Sequence, residues 1–400
     1  MSGRLISLSP DLARLRDEGY NIEVRGSAHL LVKDVPYLNN KREVKRGLLV
    51  TKLTLAGDIT TERPKDHVAY FAGEAGEFPC NEDGTEIRIK NASSRIPLDS
   101  NLIVNYTLSA RPKPEGNYTD YYDKMTHYVN IISGPAQQIR PGITARTHPL
   151  ILTDQQDEET PFNYLDNASS RAEITLITRK LARAKVAIIG LGGTGSYVLD
   201  FLAKTPVAEI HLFDGDTFLQ HNAFRAPGAP SIEDLRAKPT KVGYLKAIYS
   251  KMHRGIVAHE YYIDGYNTEE LRTMDFVFLC VDRGTDKRIL VERLQQFGRA
   301  FIDVGMGIFA NESAIGGLLR VTTSTPLKRD HFSTRVSLAD APDDNEYANR
   351  IQIAELNALN AALAIIKWKK LLSFYHDFEH ENNSLFTIDG NDLHNDDTCP

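Results

Sequence analysis

A glycine-rich turn near the middle of the chain has the residue types and the context that a phosphate site requires. The run Gly190-Leu-Gly-Gly-Thr-Gly195 follows a short apolar stretch, Lys185–Ile189, and begins a helical pattern, Thr194–Lys204. Glycine lets a backbone turn tightly and approach a phosphate, and the first N–H groups of a helix are free to bind an anion. We predict a nucleotide-binding loop, with a plain strand-to-helix turn as the alternative; the loop alone does not separate NAD from ATP. The glycines concerned are Gly190, Gly192, Gly193 and Gly195.

Two carboxylates follow the next apolar strand. Asp214 comes directly after Glu209–Phe213, and Asp216 stands two residues later. In dinucleotide-binding folds a carboxylate at this position accepts hydrogen bonds from ribose hydroxyls. We predict a ribose contact for Asp214, with a turn or helix cap as the alternative. Asp216 is included in the nucleotide site, although a turn carboxylate is its commoner role.

A third element, Asn222-Ala-Phe-Arg225, lies shortly after Asp214, and a dehydrogenase has no need of it. The ordered set of motifs resembles the ThiF/MoeB/ubiquitin-activating-enzyme superfamily, whose usual forms are Gly-x-Gly-Gly-x-Gly, Asp-x-Asp and Asn-Leu-x-Arg. The resemblance covers the chain from about Lys185 to Asp389. It implies ATP as the nucleotide and an α/β, Rossmann-like adenylation fold.

The resemblance assigns roles to two basic residues. Arg225 is implied to meet the ATP phosphates, with Asn222 beside it, and a guanidinium suits phosphate because it donates two parallel hydrogen bonds. Lys238-Pro-Thr-Lys241-Val is similar to the family's Gly-x-Pro-Lys-Val, whose lysine contacts phosphate as pyrophosphate leaves. Lys241 is the better match because an apolar residue follows it, and Lys238 stays possible.

A carboxylate ends the next apolar strand. Val277-Phe-Leu-Cys-Val-Asp282 is similar to the family strand whose terminal aspartate helps to hold Mg²⁺, a hard cation that prefers oxygen ligands. An ordinary strand-end cap is the alternative for Asp282. The family's next residue, asparagine, is replaced by Arg283, and its downstream arginine falls one position late, at Arg288.

An arginine that precedes these motifs is the candidate for completing a partner's site. Related enzymes carry an upstream arginine that reaches the ATP of the other subunit. Arg171 is that candidate here, with Arg179 and Arg183 as alternatives. The resemblance therefore implies a homodimer.

The leading hypothesis is an enzyme that adenylylates the C-terminal carboxylate of a ubiquitin-like or sulfur-carrier protein. The glycines of Phe301-Ile-Asp-Val-Gly-Met-Gly would let an extended peptide pass close to the backbone. One alternative is an inactive scaffold of the same fold that binds nucleotide and carrier, and a second is a nicotinamide oxidoreductase. A conjugating enzyme is a possible further partner.

The three cysteines are far apart in the sequence, which argues against a disulfide framework and against a structural zinc site. No cysteine lies between Val281 and Thr398, where many activating enzymes carry their thioester residue. Cys280 is predicted to be core, Cys399 stands in an acidic tail, and Cys80 stays open as a nucleophile. We expect the reaction to stop at the acyl-adenylate or to continue on another protein.

The net charge of −6 gives no reason to expect nucleic acid or an anionic membrane as a partner. The sequence begins without a signal-like apolar run and has no segment of membrane-spanning length, so we expect a cytoplasmic protein.

Four segments are predicted: a β-rich accessory domain over 1–152, a linker over 153–170, the adenylation domain over 171–390 and an acidic tail over 391–400. Similar β-rich leaders accompany ThiF-type modules in bacterial chains. In this first domain we predict one helix and a series of strands: Pro10–Glu18, then Asn21–Val24, His29–Val35, Gly47–Leu55, Asp66–Ala72, Glu86–Ile89, Asn101–Leu108 and His127–Ile132.

The remaining chain alternates strands with helices, which predicts a parallel sheet covered on both faces. The expected elements, beyond those already named, are helical Glu233–Met252, extended Ile256–Ile263, strand Asp275–Val281, helix Thr285–Phe297, strand Ala300–Val304, helix Glu346–Leu372 and a final strand at Leu385.

Overall fold

The computed structural model describes residues 2–26, 28–99, 102–112, 116–153, 160–282, 284–338 and 351–398. The chain divides into two compact units, of which the first comprises Met1–Ile151 and Asp166–Glu173 and the second Leu152–Leu165 and Ile174–Pro400. The stretch 153–170, predicted as a linker, is shared between them.

The first unit is a twisted antiparallel sheet with helices. Six of its strands are hydrogen-bonded in the order β1-β2-β3-β6-β8-β7, and β4 pairs with β5 separately. The strands are β1 (Ile22–Arg25), β2 (His29–Leu38), β3 (Val44–Lys52), β4 (Leu55–Ala56), β5 (Ile59–Thr60), β6 (Val68–Ala72), β7 (Lys90–Asp99) and β8 (Leu102–Ser109). The helices are α1 (Ser2–Leu8), α2 (Pro10–Asp17), α3 (Tyr121–Ile139) and α4 (Asn167–Arg171).

Helix α3 corrects one prediction, because the strand expected at His127–Ile132 lies inside it. The run of β-branched and aromatic residues resembles a strand locally. The longer pattern is helical, since Tyr121, Met125, Tyr128 and Ile132 are all buried at helical spacing. The carboxylate of Asp120 caps the helix by accepting the N–H of Asp123 at 2.7 Å.

The prediction of a strand at Glu86–Ile89 is also wrong, because β7 begins only at Lys90. The turn Asn81-Glu-Asp-Gly84 precedes it, and Cys80 and Glu86 form only an isolated bridge. The predicted helix near residue 10 is confirmed as α2.

The second unit is an α/β structure. Its helices are α5 (Thr175–Thr178), α6 (Gly193–Leu202), α7 (Gln220–Ala223), α8 (Ile232–Ala237), α9 (Lys241–Tyr249), α10 (Gly284–Gln296), α11 (Phe332–Arg335) and α12 (Ala354–Leu371). Its strands are β9 (Lys185–Ile189), β10 (Glu209–Phe213), β11 (Ile256–His259), β12 (Phe276–Leu279), β13 (Ala300–Ala310), β14 (Ile315–Ser324), β15 (Asn383–Thr387) and β16 (Asp392–Asp396).

The eight strands of this unit form one sheet in the order β11-β10-β9-β12-β13-β14-β15-β16. Pairing is parallel from β11 to β13 and antiparallel from β13 to β16. The predicted parallel sheet is therefore confirmed. The strand order reverses between β9 and β12, so ligands are expected in the crevice at the carboxyl ends of these strands.

Apolar side chains cover both faces of this sheet. One core contains α6, α9 and α12, and the other contains α10 and α11. The helix predicted over Glu346–Leu372 is found from Ala354, while residues 339–350 lie outside the described residues. Strand β16 lies within the segment expected to be an acidic tail, because backbone pairing with β15 does not require apolar side chains. No helix of the described residues has both the length and the apolar character needed to cross a membrane.

Candidate nucleotide site

The glycine loop between β9 and α6 contains two glycines that the protein itself requires. Gly190 has a φ of +89°, and a Cβ there would lie 2.6 Å from the carbonyl oxygen of Cys280. A Cβ on Gly195 would lie 1.9 Å from the carbonyl oxygen of Gly190. Real Cβ atoms do not approach backbone this closely, so both glycines are explained by the packing of the loop.

The other two loop glycines differ from each other. A Cβ on Gly193 would lie 2.1 Å from the side-chain nitrogen of Asn357, a buried residue of α12. A Cβ on Gly192, which caps the N-terminus of α6, would meet no atom of the described residues within 4 Å beyond its chain neighbours. Within the part of the chain that the structure describes, the space in front of Gly192 is therefore open, next to the N–H groups that bind anions at a helix start.

Asp214 fixes the glycine loop from the neighbouring strand. Its Oδ2 accepts the N–H of Leu191 at 2.7 Å, and its Oδ1 accepts the N–H of Asp216 at 2.8 Å. The residue is only 5% exposed. A carboxylate oxygen can accept more than one hydrogen bond, so these contacts are compatible with a ribose hydroxyl as a further donor.

Lys241 lies between the carboxylates of Asp214 and Asp216, in the segment that follows β10. It begins α9, its ammonium nitrogen is 2.5 Å from Asp216 Oδ2 and 3.5 Å from Asp214 Oδ2, and the residue is buried. The alternative candidate, Lys238, is exposed and ends α8 in a left-handed conformation.

Arg225 and Asn222 lie on the segment after β10. The side-chain oxygen of Asn222 accepts the N–H of Leu219 at 2.8 Å. The backbone carbonyl oxygen of Asn222 accepts the N–H of Arg225 at 3.1 Å. Burial lowers the pKa of the Arg225 guanidinium, while the charges of Asp282 and Asp216 oppose that shift. Its buried Nε has no hydrogen-bond partner among the described residues. This arrangement orients a partly desolvated cation that retains an unused donor.

Asp282 follows β12 and is exposed at the carboxyl end of the sheet. The described residues contain no cluster of three or more His, Cys, Asp or Glu side chains suited to a metal ion. Arg283 and Cys399 lie outside the described residues, and Arg288 is directed to the carbonyl oxygen of Leu338 at 2.8 Å.

A family model for the ThiF family matches residues 167–398, more than half of the 400 residues. The chain belongs to the ThiF family. The predicted resemblance and the adenylation fold are thereby confirmed. A second model, described as a domain of unknown function (DUF6791), matches residues 10–167.

Solved structures similar to this ThiF-family chain include E. coli MccB with ATP, at 19% identity and a TM-score of 0.43, covering 57% of this chain and 67% of that chain. E. coli MccB with MccA-N7isoASN has 17% identity and a TM-score of 0.45, covering 62% and 72%. PaaA has 14% identity and a TM-score of 0.46, covering 68% and 92%. No curated protein matches the chain.

Most of the predicted site residues lie together at the carboxyl ends of β9, β10 and β12 and the segments that follow them. The members of this group are Gly190, Gly192, Gly193, Gly195, Asp214, Asp216, Asn222, Arg225, Lys241 and Asp282. Arg171 is an exposed residue of α4 in the first unit, whereas Arg179 and Arg183 are exposed residues of the second.

Sequence reasoning missed Asn357. Its Oδ1 accepts the hydroxyl of Thr194 at 2.9 Å, and its Nδ2 is 3.5 Å from the carbonyl oxygen of Arg225. It therefore connects α12 to the glycine loop and to the arginine. A signal was present, since Asn357 and Asn360 stand one helical turn apart in a largely apolar helix and both are buried.

A buried charge cluster beside the site was also missed. The carboxylate of Asp303 is fully buried, 2.7 Å from Lys287 Nζ and 2.6 Å from an Arg320 nitrogen. Both oxygens are thus paired with cations, as a buried carboxylate requires. Asp303 lies on β13 in register with Leu279, and no pattern in the local sequence brings Lys287 and Arg320 together there.

Proposed function

We propose that this chain is an ATP-dependent adenylyltransferase that acts on a C-terminal carboxylate of a peptide or protein. The observation that carries the proposal is the open space in front of Gly192, beside the start of α6. The buried Nε of Arg225, for which the described residues provide no acceptor, supports the proposal, because both features suit a polyphosphate. Membership of the ThiF family also supports adenylyltransferase activity.

In this mechanism each residue mainly positions charge. The N-terminus of α6, Arg225 and Lys241 donate hydrogen bonds to the phosphates of ATP, and Asp214 contributes to binding the ribose. A carboxylate oxygen of the substrate attacks the α-phosphorus, the bond to the bridging oxygen breaks, and pyrophosphate leaves with that electron pair. The protein stabilises the charge that develops and needs no covalent step of its own.

The residues also fit Mg²⁺ that arrives with ATP. Mg²⁺ is commonly held by one or two carboxylates together with substrate phosphates, and Asp282 is an exposed oxygen donor at the correct edge of the sheet. The ion would neutralise negative charge on the phosphates. Asp282 is the residue that would hold it.

The proposed substrate class is a ubiquitin-like or sulfur-carrier protein with a flexible C-terminal tail. E. coli MccB is described in complexes with MccA. In this chain Gly307 on β13 supplies backbone without a side chain for an extended tail, whereas the Arg320 guanidinium covers Gly305. A conjugating enzyme would be a later partner.

We further propose a homodimer in which Arg171 of one subunit completes the site of the other. Arg171→Ala should then lower the rate of ATP turnover by more than the accompanying change in melting temperature can explain. Light scattering that gives a monomer near 44.8 kDa at assay concentrations would contradict this assembly.

Hydroxylamine trapping tests the proposed reaction. The protein is incubated with Mg-ATP, hydroxylamine and a synthetic peptide that ends in Gly-Gly, and a peptide hydroxamate and pyrophosphate are the expected products. The same peptide with a C-terminal amide is the matched control and should give neither. Tight ATP binding without hydroxamate for any carrier or peptide with a free carboxylate would instead favour the inactive scaffold.

Alanine at two adjacent loop glycines should have separable effects. Gly192→Ala places a methyl group in the open space, so it should weaken ATP binding by about tenfold or more with little change in melting temperature. Gly193→Ala forces Asn357 to move, so it should lower the free energy of unfolding by about 1–3 kcal/mol, the usual cost of overpacking. Calorimetry and thermal melts measure both. Equal loss of stability in the two variants would show that the space at Gly192 is not reserved for a ligand.

The chemistry after adenylation is expected to need a nucleophile on another protein. Burial raises the pKa of the Cys280 thiol far above its ordinary value, and burial also raises the pKa of the Cys80 thiol, so neither favours a reactive thiolate. A non-reducing gel after incubation with Mg-ATP and the carrier should show no enzyme–carrier adduct. A reducible band that disappears in Cys80→Ala or Cys399→Ala would overturn this expectation and identify the nucleophile.

A further inference from the structure

The ammonium group of Lys241 is held in place by a carboxylate that has its own anchor. Asp216 uses Oδ2 for Lys241 and Oδ1 for the hydroxyl of Tyr262, which donates to it. Asp216 is half exposed and follows a glycine, so its own environment does little to fix its side-chain rotamer. Its contacts with Lys241 and Tyr262 therefore contribute to the orientation of the Asp216 carboxylate.

Tyr262 is well suited to anchor Asp216 because its own position is fixed on two sides. It follows β11, the strand next to β10, and its backbone carbonyl accepts the side-chain N–H of Asn267 at 3.0 Å. Its ring rests on Gly215, where a Cβ would lie 2.7 Å from the ring carbon Cε2. The lack of a side chain at Gly215 is thus explained by Tyr262.

Lys241 is placed toward the glycine loop by this chain of contacts. The Asp214 oxygen that lies 3.5 Å from its ammonium nitrogen also accepts the N–H of Leu191 in that loop. A lysine side chain has four rotatable bonds, so an ammonium that is not held would spend much of its time elsewhere. Holding it beforehand lowers the entropy that phosphate binding must otherwise remove.

We propose that Tyr262 is a positioning residue for the phosphate lysine, acting through Asp216, and this rests on the proposed ATP site. Its hydroxyl fixes the carboxylate of Asp216, and Asp216 in turn holds Lys241 Nζ beside the glycine loop. The contribution is specific to the phosphates and does not extend to the base or the ribose.

The test compares Tyr262→Phe with Tyr261→Phe. Tyr261 is the matched control because it also follows β11 but donates its hydroxyl to Glu270 at 2.8 Å. Titration calorimetry with a nonhydrolysable ATP analogue and with adenosine should show about a tenfold loss of analogue affinity in Tyr262→Phe, the size expected when a charge-assisted hydrogen bond is lost, and unchanged adenosine affinity. Tyr261→Phe should bind both as the wild type does. Equal losses for analogue and adenosine would overturn the proposal and assign the ring to the base.

A double-mutant cycle shows whether the effect passes through the lysine. In a Lys241→Met background, Tyr262→Phe should cause no further loss of analogue affinity, since the group that it positions is gone. Losses that simply add would contradict the proposal.

Gly215→Ala gives an independent approach, because the added methyl group displaces the Tyr262 ring. Gly215→Ala should reproduce the loss of analogue affinity seen in Tyr262→Phe. Unchanged affinity in a folded Gly215→Ala variant would contradict a role for the position of the Tyr262 ring. If the wild-type protein binds no analogue at all, the ATP site itself fails rather than this inference.

Discussion

Arg225→Met is expected to reduce ATP-analogue affinity by about 1,000-fold while leaving the free energy of unfolding unchanged or slightly higher. Two parallel charge-assisted hydrogen bonds to phosphate account for a loss of this order. The guanidinium is partly desolvated, which lowers its pKa, and its Nε is unpaired among the described residues. An apolar side chain of similar length removes the cost of desolvating this cation, which offsets the lost contacts.

The opposing charges do not alter that expectation. Asp216 and Asp282 are both exposed, so water screens them once the arginine is removed. Arg236→Met is the matched control because Arg236 lies on the surface of α8, where it pairs only loosely with Glu233 at 3.9 Å. Calorimetry and chemical denaturation measure the two quantities. A large loss of stability in Arg225→Met with normal affinity would make Arg225 a structural residue.

Asp282→Asn is expected to lower ATP–pyrophosphate exchange by about 100-fold in Mg²⁺, the effect of losing a carboxylate that holds the metal beside the phosphates. Without divalent metal, the same variant should bind ATP as well as the wild type or better, because a negative charge near the phosphates has been removed. A variant that loses exchange in Mg²⁺ but keeps ATP binding without metal identifies Asp282 as a metal ligand rather than as a strand-end cap.

Asp286→Asn serves as the control for this variant, since Asp286 is an exposed carboxylate in the first turn of α10. Its exchange rate should stay within about twofold of the wild type, as surface substitutions usually do. A cap at Asp282 would instead give a lower melting temperature and a loss of exchange that does not depend on the Mg²⁺ concentration.

The parallel strands were predictable from sequence because burial on both faces leaves a continuous apolar run. Lys185–Ile189 and Glu209–Phe213 agree with the structure at both ends. The strand from Ala300 was predicted to end at Val304 but continues to Ala310, because Gly305 and Gly307 interrupt the apolar pattern without interrupting the backbone pairing with β14.

The candidate site was predictable where one segment supplies both a motif and its context. Asp214, Asn222 and Arg225 lie on one stretch of chain, and their spacing carries the resemblance. Asn357 and Tyr262 come from distant segments, so only the folded structure brings their side chains into contact with the residues of the site. The helix at His127 was missed for a related reason, since local β-propensity outweighed a helical spacing that extends beyond it.

The most direct test of the central claim is a calorimetric titration of the unmodified protein with a nonhydrolysable ATP analogue in Mg²⁺ and, separately, with NAD. The proposed site predicts saturable binding of the analogue at one site per chain, sensitive to Arg225→Met, and no binding of NAD. Binding of NAD without binding of the analogue would contradict the account and assign the glycine loop to a nicotinamide oxidoreductase.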